Sequence, residues 1–69
     1  MQIGDYIRYC RDYFAMSQQQ MAEELGISQS YLSEIETGKK SPKKLRDRVL
    51  EKYPVTGELL LYLKEINAL

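Results

Sequence analysis

Apolar residues return every three or four positions along most of this chain, and no stretch alternates as a strand would. Ile3, Ile7, Cys10 and Phe14 fall at 4-3-4 spacing, which predicts a first helix over 3–14 with those side chains down one side. Ser17 is a good N-cap, and Gln20 three residues later completes a capping box for a second helix. Met21, Ala22 and Leu25 are its inward residues, and Gly26 supplies the left-handed residue that ends it. Ser28 caps a third helix with Leu32 and Ile35 inside, and Gly38 closes it. Ser41 followed by Pro42 reads as a cap and a first helical position for a fourth helix, with Leu45, Val49 and Leu50 inside. Tyr53-Pro54 interrupts that pattern. A fifth helix is expected from near Thr56, carrying Leu59, Leu60, Leu61, Leu63 and Ile66. The expected fold is all-α with five helices, in one domain over 1–69, without repeats or linkers.

The segment from Ser17 to Pro42 carries the functional information. It reads as two short helices joined by a tight turn, with a polar outer face on the second and lysines directly after it. That arrangement offers a helix to the major groove of DNA. The outward residues at the start of the second of these helices are Gln29, Ser30, Ser33 and Glu34, the candidates for reading base edges. Gln29 can pair with adenine through N6 and N7, and Glu34 can accept from cytosine N4. Ser28, Tyr31, Lys39, Lys40 and Lys43 are the candidates for holding phosphates, a role that positions the protein without reading sequence.

Charge sharpens this picture. The formal net charge is zero, but its distribution is not even. Residues 1–38 hold two Arg against six acids, whereas residues 39–69 hold eight Lys or Arg against four. Much of the excess sits in Lys39, Lys40, Lys43, Lys44, Arg46 and Arg48. Screening confines such charges to about 8–10 Å at physiological salt, so a local cluster matters more than a total.

Other chemistry is poorly supplied. Histidine is absent, and no carboxylate pair or glycine-rich phosphate loop stands out, so an enzyme is not expected and no cofactor or metal is called for. The single cysteine, Cys10, excludes an internal disulfide, fits a reducing cytoplasm, and belongs to the apolar stripe of the first helix. No signal peptide is visible, and no apolar run approaches the roughly 18 residues a membrane span needs. Met1 and the lack of a linker lead us to expect a full-length protein.

These residues resemble the Cro/repressor-type helix-turn-helix proteins, the lambda repressor-like or XRE-family DNA-binding domains. The likeness covers the chain to Pro42 and extends more loosely to about Leu60. It rests on Gln18 opening the second helix, Ala22 as the small residue at a close helix contact, and Gly26 in the turn. Leu32 and Ile35 match the buried pair, and IETGKKSP matches the family's exit from the recognition helix. The resemblance implies a semi-buried ion pair between Arg11 and Glu36, and a phosphate bond from Gln18. One departure is Ala15, where many relatives have glycine. A left-handed Ala there would cost roughly 1 kcal/mol.

The resemblance also implies a cytoplasmic, nucleoid-associated regulator of a bacterium, phage or mobile element. The expected activity is repression from a palindromic operator, because occupancy of a promoter suffices for it. A small domain buries only about 60% of its unfolded surface, and Leu60 and Leu61 exceed what one helix face requires. Residues 56–69 are therefore expected to seal a homodimer, whose two recognition helices would sit about 34 Å apart. Tyr6, Tyr9 and Tyr13 form a second stripe on the first helix, either completing the core or meeting a protein partner. The rival reading is an antitoxin-like or adaptor module in which DNA binding is secondary.

Overall fold

The computed structural model describes residues 2–68, and within them the chain forms five helices and no strand. They are α1 (Ile3–Tyr13), α2 (Gln18–Leu25), α3 (Gln29–Glu36), α4 (Lys43–Lys52) and α5 (Gly57–Glu65). Met1, and Leu69 at the end of the expected dimerisation segment, lie outside the described residues. α3 packs against both α1 and α2, while α5 lies on α1 and α4 on α2. One core joins them, with Ile7, Cys10, Met21, Leu32 and Val49 fully enclosed.

Local chemistry accounts for the starts of these helices. Ser17 Oγ accepts from Gln20 N at 3.0 Å, and Gln20 Oε1 accepts from Ser17 N at 2.8 Å. That reciprocal pair satisfies two otherwise orphan donors. Ser28 Oγ caps α3 through Tyr31 N at 3.1 Å, and Thr56 Oγ1 caps α5 through Leu59 N at 3.2 Å. α4 departs from the sequence expectation: it begins at Lys43, with Pro42 in extended geometry as its N-cap and no side-chain cap bond. Ser41 therefore does not cap it.

Four helix ends share one device. After α1, Ala15 N donates to Asp12 O and Met16 N to Arg11 O. The same 5→2 and 6→1 bonds follow α2 at Gly26 and Ile27, α3 at Gly38 and Lys39, and α5 at Asn67 and Ala68. This is the Schellman arrangement, which requires a left-handed residue. Accordingly φ is +69° at Gly26, +85° at Gly38, +54° at Ala15 and +58° at Asn67.

α1 and α3 cross with backbones almost touching at Gly4. A Cβ built there would stand 2.0 Å from Ile35 O and 2.9 Å from Glu36 Cα. Only a residue without a side chain lets α1 approach the back of α3 so closely.

Three expectations about the core are corrected. Phe14 is not on the inner stripe: α1 stops at Tyr13, the chain turns left-handed at Ala15, and the Phe14 ring is 49% exposed. It lies instead against Tyr13 and Tyr53. Leu50 and Ile66 also face out, because Leu45 and Val49 fill the inner side of α4, and α5 ends before Ile66. Of the two readings of the tyrosine stripe, Tyr6 follows the first: it is buried and completes the core, leaving it no part in an open partner surface. The Tyr53–Pro54 connector folds over α1, and the Tyr6 hydroxyl donates to Tyr53 O at 2.6 Å. Burial pushes the Tyr6 phenol far up from its ordinary range.

Candidate nucleic-acid interface

α3 is held from behind, by Leu32 and Ile35 in the core, and at both ends. Ser28 caps its start, and Thr37 Oγ1 closes its exit by donating to Ser33 O and Glu34 O at 3.0 and 3.2 Å. Its other side faces solvent. Gln29 and Ser30 are exposed, and Ser33 and Glu34 are half-buried. With Gln18 these four line one open depression of about 400 Å³. The residues expected to read bases therefore stand together on one surface, beside the start of α2.

A ladder of polar bonds connects that surface to the scaffold. Arg11 Nε and Nη2 donate to the two oxygens of Glu36 at 2.9 and 2.8 Å, a bidentate geometry, and Arg11 Nη1 reaches Met16 O at 3.3 Å. The bond to Glu36 raises the Arg11 guanidinium above its ordinary value. Glu36 also accepts from Gln18 Nε2 at 3.4 Å, and Gln18 Oε1 accepts from Gln29 Nε2 at 3.3 Å. Glu36 is buried, and a carboxylate in that position requires partners on both oxygens. Here they come from α1 and α2 together.

The cations take two different positions. Lys39, Lys40 and Lys43 are exposed at the exit from α3 and the start of α4. Lys40 Nζ lies 3.3 Å from Glu34 Oε2 and 5.3 Å from the centre of the half-buried Tyr31 ring. Arg48 and Lys52 point elsewhere. Arg48 Nη2 donates to Leu25 O, and Lys52 Nζ donates to Glu24 O at 2.9 Å and pairs with its carboxylate at 2.8 Å. They satisfy the last carbonyls of α2, where the helix dipole favours positive charge. By sequence Arg48 counts with the local excess of positive charge; the structure places it at the end of α2.

Two positions that shape the site are silent in the sequence pattern. Gly4 sets how deeply α1 sits behind α3, and its only signal is a glycine one residue into a helix. Thr37 is a polar residue in an exit loop, with nothing in its type to reveal the bonds it makes.

A helical pair with this turn, a capped and polar outer helix, and cations at its exit defines a helix-turn-helix protein. The family model described as Helix-turn-helix matches residues 7–46, more than half of the chain. The chain belongs to that family, in its XRE-type, lambda repressor-like form, and is a DNA-binding transcriptional regulator. No curated protein and no solved structure matches it. Among the described residues no helix is long and apolar enough to cross a membrane.

Proposed function

We propose that this regulator is a repressor that binds a palindromic operator as a homodimer, with α3 of each subunit in the major groove. The observation that carries this reading is the common surface of Gln18, Gln29, Ser30, Ser33 and Glu34, flanked by exposed Lys39, Lys40 and Lys43. In this reading Gln29 and Glu34 address base edges, with Ser30 and Ser33 alongside. Gln18, Ser28, Tyr31 and the three lysines hold phosphates, helped by the N–H groups at the start of α2. The Gln18–Gln29 bond orients both amides before DNA arrives, which lowers the ordering cost of binding.

The dimer is proposed through α5. Leu61 is 62% exposed, directly opposite Leu59 and Leu63, and Leu60 is half-buried beside it. In this reading Leu61 and the open edge of Leu60 meet their own counterparts across a two-fold axis. A partner surface made of tyrosines has less support. Tyr6 is buried, Tyr9 is half-buried, and the Tyr13 hydroxyl bonds Glu58 at 3.4 Å.

Sequencing random DNA fragments retained by the pure protein tests the reading. Wild type should return a two-fold symmetric motif, and Gln29→Ala should relax it at defined positions. Lys43→Ala should weaken binding on every sequence and flatten the salt response. Retention without any sequence preference would refute the base-reading role of α3.

A further inference from the structure

Glu34 and Lys40 have separate roles in the reading above, one toward a base and the other toward a phosphate. In the structure they hold each other. Their ion pair spans 3.3 Å, with the two side chains about half exposed. The backbone brings them together: Gly38 at φ +85° folds the chain back, and Lys39 N and Lys40 N both donate to Glu34 O, at 2.9 and 3.3 Å. The Tyr31 ring under the ammonium provides a second resting place for the same charge. Lys40 is thus kept over the outer side of α3, within reach of the residue it neutralises.

We propose that this pair is an exchange switch that couples base reading to phosphate binding. On DNA of the wrong sequence, Glu34 keeps Lys40 and withholds it from the phosphates. On the operator, a base amino group replaces Lys40 at Glu34, and the freed ammonium moves to a phosphate. The inference rests on the placement of α3 in the groove given above. Cytosine N4 and adenine N6 are the amino donors on the major-groove edge, whereas guanine and thymine offer only acceptors there. A carboxylate facing acceptors between two rows of phosphates has no donor but Lys40, so the pair stays closed. A carboxylate facing an amino group no longer needs it. Half-exposed ion pairs are weak enough to exchange in this way. One wrong base beneath Glu34 then removes two contacts instead of one.

Salt dependence reads the number of phosphates neutralised. Binding is measured across salt concentration on a duplex selected from a random pool by wild type, and on a random-sequence duplex of equal length. Glu34→Gln should free Lys40 on both, steepening the random-duplex slope by about 0.9 per bound subunit and leaving the selected-duplex slope nearly unchanged. Lys40→Gln should flatten the slope on the selected duplex only, and the double variant should follow Lys40→Gln. An unchanged random-duplex slope in Glu34→Gln, or equal flattening of both slopes in Lys40→Gln, would overturn the exchange while leaving DNA recognition by α3 intact. A wild type that binds neither duplex would overturn both. Both residues are half exposed, so circular dichroism of each variant should match wild type.

Discussion

Ala15 should be a place where this protein gains stability from losing a methyl group. It occupies the left-handed position after α1, at φ +54°, in the same hydrogen-bonded turn that Gly26 makes after α2. An L-residue in this conformation costs roughly 1–2 kcal/mol, from the clash of Cβ with the carbonyl. Ala15 is exposed, so replacing it with glycine removes little buried surface. Glycine returns about 0.4–1 kcal/mol of that gain through the greater freedom of the unfolded chain. Ala15→Gly should therefore stabilise by about 1 kcal/mol, which in a domain of this size raises Tm by about 4–8 °C. Thermal melts followed by far-ultraviolet circular dichroism measure it, at one protein concentration because a dimer makes Tm depend on concentration. Urea titrations should show a higher midpoint with an unchanged slope. Ala15→Val should move the other way, since branching at Cβ worsens the same clash. A Tm that is unchanged or lower in Ala15→Gly would refute the account of this turn.

The remaining predictions concern what stands behind α3. Gly4→Ala should destabilise by about 3 kcal/mol or more, because the new Cβ meets the backbone of Ile35 and Glu36, which cannot swing aside; chemical denaturation measures it. Arg11→Ala should cost about 3 kcal/mol by leaving Glu36 buried without its main partner, while Arg11→Met combined with Glu36→Leu should recover much of that loss in the same assay. Tyr6→Phe should cost about 1–2 kcal/mol, since Tyr53 O then loses its buried donor. A melt indistinguishable from wild type would show that water replaces the phenol there.

The helix-turn-helix was legible because its signals are local. A serine before a helix, a glutamine three residues on and a glycine at the end each act within one turn of chain. Ser17, Gln20, Gly26, Ser28 and Gly38 accordingly behave as their types dictate. Ala15 and Asn67 show the limit of that logic. They adopt the same left-handed geometry as the two glycines, yet neither residue type demands it. Ala15 takes it in the turn that carries the chain from α1 into α2, and Asn67 in the turn that ends α5, where asparagine adopts it more readily than alanine.

Other misreadings have the same origin. Phe14 matches the spacing of the α1 stripe, but periodicity does not say where a helix stops, and the reversal at Ala15 turns the ring outward. Arg48 belongs by composition to a basic cluster and by position to the α2 end, since only the packing of α4 on α2 brings its guanidinium to Leu25 O. Lys40 and Glu34 look like two independent surface charges, six residues apart, one on a helix and the other past its end. The fold-back at Gly38 makes them partners. The composition of this surface was therefore open to reading, while the bonds within it were not. Those bonds decide its chemistry. A glutamine whose amide is already turned by Gln18, and a glutamate already holding a lysine, would on the proposed reading meet a base edge with fewer free arrangements than their residue types suggest. In the proposed exchange, a base without an amino group leaves Glu34 on Lys40, so it forms no contact to the carboxylate and frees no lysine for a phosphate, and that double loss is what would let so short a helix discriminate.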